Sequence, residues 1–184
     1  MAHLRWLLTL CLTACCACAL AQTPASLPPV NTIAALDVSR YMGTWYEIAK
    51  FPNRFQRKCA ANTRARYLAQ SDDSVQVLNS CLTTDGETID ALGLAKQVGP
   101  SDSPKLKVRF APAWLSWLPQ VWGDYWVIDL DPQYQLAAVS DAKREYLWVL
   151  SRTPRVAQHN YDALLGRLQA QGFDVQQLEL TPQR

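Results

Sequence analysis

Between residues 43 and 152 apolar and polar side chains alternate, and the alternation breaks at turn clusters: Ser71 to Ser74, Thr83 to Gly86, Gly99 to Pro104, Asp131 to Gln133 and Ser140 to Arg144. A period of two belongs to a strand with one face dry and one wet. Eight strands are expected, over residues 43–51, 60–69, 75–83, 87–97, 105–111, 124–130, 134–140 and 145–152. Their connections are short, so neighbours in sequence pair as hairpins. About eight such strands close into an up-and-down barrel wide enough to hold one small ligand. The fold class expected is all-β: an eight-stranded antiparallel barrel carrying one C-terminal helix.

The helix is read from Tyr161, Leu164, Leu165 and Leu168, which fall at i, i+3, i+4 and i+7 and make one apolar stripe to lie against the barrel wall. Gly172 is placed to end it, and Ala157 stands where a capping side chain would be expected. Phe173, Val175, Leu178 and Leu180 then read as a short edge strand.

The chain has 184 residues, which suits one domain over residues 36–184. Met1 to Arg5 precede an apolar run from Trp6 to Leu20, too short and wrongly flanked for a membrane span, and this reads as an export signal. Two cleavage sites stay open. Ala19-Leu20-Ala21 suits ordinary signal peptidase and gives a signal peptide of residues 1–21. Leu12-Thr13-Ala14-Cys15 resembles a lipobox, which gives a lipoprotein signal of residues 1–14 and a lipidated Cys15. Several acyl chains on Cys15, at ~0.8 kcal/mol per buried methylene, would hold the protein on a membrane. Residues 22–35 carry three prolines and no charge and read as a linker or loose arm.

The formal charge of +2 falls to +1 if Arg5 leaves with the leader, so there is no electrostatic case for nucleic acid. With His3 in the leader, His159 alone remains, and a zinc site or a histidine-based triad lacks its parts. No cofactor is called for. Four of the six cysteines lie in the leader; Cys59 and Cys81 flank a hairpin-like unit and, in an exported chain, are expected to form a disulfide, with a pair of buried thiols as the alternative.

Residues 111–123 hold three of the seven tryptophans between two strands, where a polar connection would be ordinary. Trp114, Trp117 and Trp122, with Leu115, Leu118 and Val121, suit a lid over the cavity, a membrane-dipping tip, a homodimer contact, or a loop that buries itself.

Three segments carry a family resemblance. Gly43-Thr44-Trp45-Tyr46-Glu47, Asp124-Tyr125-Trp126-Val127-Ile128-Asp129-Leu130-Asp131 and Tyr146-Leu147-Trp148-Val149-Leu150-Ser151-Arg152-Thr153-Pro154 resemble the three lipocalin signatures in order and spacing, across residues 36 to 180. The wording is nearest to bacterial outer-membrane lipocalins, with apolipoprotein D and insect bilin-binding proteins as more distant relatives. The resemblance implies that Arg152 spans the closed end of the barrel and packs on the indole of Trp45, above the tight opening at Gly43.

With Arg152 pointing in, period two turns Leu150 and Trp148 inward, together with Thr63, Ala65, Tyr67, Val75, Val77, Asn79, Cys81, Leu106, Val108 and Phe110, while Arg64 and Arg66 face water. Tyr67, Val77, Asn79, Val108, Phe110 and Trp148 are the expected ligand contacts, and Trp114 and Trp117 the expected contacts from the loop. Tyr67, Asn79 and Trp148 align with pocket residues of apolipoprotein D.

The function implied is a non-enzymatic carrier of a fatty acid or lysophospholipid, exported to the periplasm or to the periplasmic face of the outer membrane. A homodimer is an added expectation. The rival class is a lipid-converting enzyme drawing on Cys81, or on Glu47 with Asp129, although a carboxylate on a barrel strand is expected to face solvent. A tetrapyrrole carrier would need an axial histidine that the barrel does not offer.

Overall fold

Side chains of alternating polarity need one dry face, and a sheet curled on itself supplies it without leaving a hydrogen-bonding edge. In the computed structural model, which describes residues 27–184, the strands are β1 (Gly43–Lys50), β2 (Cys59–Ala69), β3 (Val75–Thr83), β4 (Thr88–Gln97), β5 (Lys105–Arg109), β6 (Gly123–Leu130), β7 (Leu136–Ser140) and β8 (Leu147–Ser151). Their ends fall within two residues of the sequence expectation. Each strand pairs antiparallel with the next, and β1 pairs with both β8 and β2, closing the barrel. The leader and Cys15 lie outside the described residues.

Two apolar clusters share the sheet. The inner one, around Trp45, Tyr67, Val77, Leu106, Val127, Val139 and Leu150, packs at the closed end and continues up the inner wall. The outer one joins Ala49, Ile128, Ala138, Leu147 and Val149 to helix α1 (Gln158–Ala170), whose Leu164 and Leu168 are wholly buried. Neighbours along a strand alternate between clusters: Leu147 and Val149 face the helix, Trp148 and Leu150 the interior. Bulges between Glu47 and Ala49 and between Val127 and Asp129 adjust the register and bend the wall. The one after Glu47 sends Ala49 out under the helix while Glu47 stays in.

The helix begins at Ala157 without a side-chain cap and stops before Gly172, which takes φ +82. No described helix is long and apolar enough to cross a membrane. Beyond it the expected edge strand is replaced by something else. Phe173 and Val175 are buried beneath the helix, Val175–Gln177 make a 3-10 turn, and only β9 (Glu179–Leu180) pairs, with Ala49 and Lys50 of β1. Spacing alone suggests a strand; Phe173, Val175 and Leu178 instead pack into the outer cluster, and Leu180 is exposed.

Residues 27–35, expected as part of a loose arm, are held against the barrel. Val30 is buried in the outer cluster, the Arg144 guanidinium donates to Pro28 O, and Ile33 N–H donates to Val127 O. Leu36 then plugs the closed end at 1% exposure, and a four-residue helical turn over Val38–Tyr41, capped by Asp37, leads into β1.

At that closed end the Arg152 guanidinium lies 4.1 Å from the centroid of the Trp45 ring and donates to the carbonyls of Arg40, Thr44 and Tyr134. Gly43 has φ +98, and a Cβ there would come within 3.2 Å of the Arg152 Nη1. Both facts require glycine two residues before the tryptophan. Cys59 and Cys81 form the expected disulfide, Cα–Cα 5.5 Å, tying β2 to β3.

Two stability predictions follow from these ties. Arg152→Ala is expected to lower unfolding free energy by about 1 to 3 kcal/mol, because it strips the packing from Trp45 and leaves three carbonyls unpaired; urea unfolding of both proteins measures it. Replacing Cys59 and Cys81 with serine is expected to cost about 3 kcal/mol while ligand uptake persists. Recovery of both cysteines as alkylated thiols after non-reducing digestion would contradict the pairing in solution.

Candidate functional site

The barrel interior encloses a cavity of about 840 Å³, within the roughly 300–1,000 Å³ usual for ligand pockets. Period two builds its wall. Ala65 and Tyr67 from β2, Val75, Val77 and Asn79 from β3, Leu106 and Val108 from β5, and Trp148 and Leu150 from β8 all line it. Arg66 faces outward as expected; Arg64, also exposed, reaches the lining near the mouth. Tyr67, Val77, Asn79, Val108, Phe110 and Trp148 are thus gathered around one space.

Phe110 has a special seat. β4 and β5 pair only between Leu94–Gln97 and Leu106–Arg109, so β4 from Thr88 to Gly93 rises above its partner. The Phe110 ring covers that flank by lying on Gly93, where a Cβ would come within 2.7 Å of the ring carbons. A side chain at position 93 would drive the ring off.

Trp114 and Trp117 take a different place from the one expected. They stand outside the wall at 73% and 74% exposure and are not part of the lining. Their loop contributes Gln120, Val121 and Trp122 to the cavity instead. Trp122 donates through Nε1 to Ser116 O and covers the Arg109 guanidinium at 5.3 Å, while Arg109 in turn donates to Ala111 O. The loop's root is therefore fixed and its tip is bare. Phe55, 64% exposed on the β1–β2 connection, adds a third bare aromatic at the mouth.

Glu47 reverses the expectation of a solvated carboxylate. It is 3% exposed, lines the cavity, and accepts from Gln56 Nε2 and Thr181 Oγ1, each at 2.5 Å. Gln56 Oε1 in turn accepts from the Trp148 indole at 3.0 Å and from Asn53 Nδ2 at 2.6 Å. Burial raises the Glu47 pKa above its ordinary value, against the opposing pull of Thr181, Gln56 and Lys50.

The C-terminal residues make this burial possible. β1 and β2 pair only from Gly43 to Tyr46, and past that point the tail fills the seam. Asn62 N–H donates to Pro182 O, and the Gln183 amide donates to Glu47 O and Thr63 O. Asp129, by contrast, faces out and is bound by Arg167 at 2.6 and 2.9 Å, and the Cys81 sulfur is bonded to Cys59. Neither a free thiol nor a Glu47–Asp129 pair is assembled in the cavity.

The floor of the cavity carries three phenols. Tyr125 Oη lies 2.9 Å from Tyr41 Oη and 2.9 Å from Tyr67 Oη, and all three residues line the space. Burial raises all three pKa values, Tyr67 to about 12, so they are protonated at neutral pH. The sequence marks Tyr67 as a ligand contact and Glu47 only as a solvated carboxylate of the rival enzyme reading; Tyr41, Tyr125 and Gln56 carry no such mark. Carrying the inward parity from Val127 back along β6 would have found Tyr125; nothing local marks Gln56.

A lipocalin-like domain family matches residues 36–183. Temperature-induced lipocalin-1 of Arabidopsis thaliana is 42% identical over 156 residues, covering 84% of this chain and 83% of that one. Outer membrane lipoprotein Blc of Escherichia coli K12 is 36% identical over 160 residues, covering 86% and 84%. Among solved structures, insecticyanin from the tobacco hornworm Manduca sexta superposes with a TM-score of 0.64 at 18% identity, over 86% of this chain and 87% of that one.

The buried carboxylate yields a pH prediction. The folded protein keeps the Glu47 proton to higher pH than the unfolded chain does, so the folded state binds more protons as pH rises from the ordinary value of about 4.5. Stability from this group is present below that value and lost as pH climbs through the raised pKa. Glu47→Gln is expected to flatten this decline, seen as a smaller drop in denaturation midpoint between acidic and neutral pH. Parallel pH profiles for the two proteins would show that Glu47 ionises as freely folded as unfolded.

Proposed function

Because this chain belongs to the lipocalin family, we propose that it carries a single-chain lipid, a fatty acid or a lysophospholipid, in its barrel without altering it. The observation that carries this reading is the apolar-walled cavity of about 840 Å³ opening through a mouth edged with Phe55 and Phe110 and flanked by Trp114 and Trp117. A chain of ~15 methylenes at ~0.8 kcal/mol each offers about 12 kcal/mol gross. Binding costs of about 4 kcal/mol leave roughly 8, which is micromolar affinity, with no strong polar contact required.

The bare aromatics give the ligand a route. Indole and phenyl rings favour the interface between water and lipid, and their exposure here suits a mouth that touches a bilayer and takes a single chain from it. The relative named as an outer membrane lipoprotein supports the same setting for this chain, with Cys15 as the lipidated residue. Storage or transport of lipid in membrane maintenance is the role we assign. A homodimer through the same bare loop is the competing use of Trp114 and Trp117.

Tryptophan fluorescence with oleate or a lysophospholipid tests the reading. Saturable binding should blue-shift emission and shield indoles from an aqueous quencher. Trp117→Ser should slow uptake from vesicles while leaving the melting temperature nearly unchanged. Uptake at the wild-type rate in a protein that melts several degrees lower would make the loop a packing element. Absence of saturable binding by either lipid would overturn the carrier function.

A further inference from the structure

The three floor tyrosines have more donors than they can use on one another. Tyr41, Tyr125 and Tyr67 bring three hydroxyl hydrogens to two hydrogen bonds, and no other acceptor among the described residues lies within bonding distance of any of the three oxygens. However the hydrogens are arranged, one O–H has no protein acceptor. A ligand that takes the place of water in the cavity must offer this donor an acceptor or leave it unpaired, which is costly.

The rings that hold these hydroxyls are stacked in series. Arg152 lies on Trp45, Trp45 is 4.8 Å from the Tyr41 ring, Tyr41 is 5.7 Å from Tyr67, and Tyr67 meets Tyr125 edge-on at 6.0 Å. The hydroxyls therefore keep their positions without a ligand. Beneath them the Arg152 cation is bonded only to neutral carbonyl oxygens, with no carboxylate in ion-pair range among the described residues. The closed end is thus electropositive and rich in donors. The whole lining bears five acidic side chains, Glu47 among them, against three basic ones, Arg54, Arg64 and Lys143. The excess of acid lies on the upper wall and mouth loops, the reverse of what would welcome an anionic head there.

We propose that the Tyr41–Tyr125–Tyr67 hydroxyl chain is a binding subsite for a hydrogen-bond-accepting oxygen, so that a fatty acid is held with its carboxyl group at the floor and its methyl end toward the mouth. This rests on the carrier reading above and adds the orientation and the class of head group. The acceptor is a carboxyl oxygen, which takes the spare phenolic hydrogen and lies within the field of Arg152. A lysophospholipid, with a head group too bulky for the floor, would have to bind the other way up and leave the spare donor unused.

The hydroxyl arithmetic also dictates the variant. Removing one end of the chain still leaves one unspent hydrogen, and removing Tyr125 leaves two, so single substitutions keep a donor. Only Tyr41→Phe/Tyr67→Phe/Tyr125→Phe together removes it, while preserving every ring. The test is 13C NMR of bound oleate labelled at the carboxyl carbon or at the terminal methyl, with a water-soluble gadolinium chelate added.

In the wild type the carboxyl signal should stay sharp and the methyl signal should broaden. In the triple phenylalanine variant oleate affinity should drop about tenfold and the broadening pattern should reverse, whereas a hydrocarbon of equal length should bind the variant at least as tightly as the wild type. A broadened carboxyl and a sharp methyl in the wild type would overturn the orientation while leaving the carrier function standing; no saturable binding of either labelled oleate would overturn both. The wild-type measurement decides the matter by itself if the triple variant does not fold.

Discussion

The contact between Arg152 and Trp45 sets the frame for the rest of the barrel. It joins the last long strand to the first across the closed end, at 4.1 Å, and its three carbonyl partners come from the turn before β1, from β1 itself and from the β6–β7 connection. Four separate stretches of chain are held by one guanidinium. That geometry needs Gly43, since the backbone there turns with φ +98 and Arg152 occupies the space a side chain would use. Glycine, tryptophan and a distant arginine therefore form one requirement rather than three.

A barrel kept hollow cannot rely on its interior for stability. Most of the inner cluster faces the cavity as its floor and wall, so much of the close packing is on the outside, where the helix lays Leu164 and Leu168 over β6, β7 and β8. The N-terminal residues from Val30 to Leu36 join both clusters, which explains why a proline-rich stretch without charge is fixed. A wall that faces open space on one side can carry groups a fully packed core would not tolerate, such as the Glu47 carboxyl group.

The eight strands and their facing were legible because alternation is a local signal, and one anchored arginine fixes the parity of a whole strand. What escaped depends on contacts between residues far apart. Glu47 alternates like any strand residue, but its burial follows from the tail, 134 residues later, which supplies Thr181. The apolar series after Gly172 looks like an edge strand until the helix is placed over Phe173 and Val175. The tryptophan-rich loop is divided by the seating of Trp122, on Arg109 and on Ser116 O, and no periodicity says which indole will turn inward. The leader carries its signal in composition alone.

The polar floor also bears on selectivity. In an apolar cavity, affinity grows with each methylene and says little about the head group. A ligand that displaces water from the floor without an acceptor at its inner end leaves a donor unpaired at a cost of about 1 to 3 kcal/mol, roughly a factor of ten between ligands of equal length. Since the phenols bond one another, they hold that donor in place at little further cost when no ligand is bound. A cavity of this kind can accept many chain lengths and still distinguish an acid from a hydrocarbon, because the discriminating group sits where every ligand's innermost atom must end.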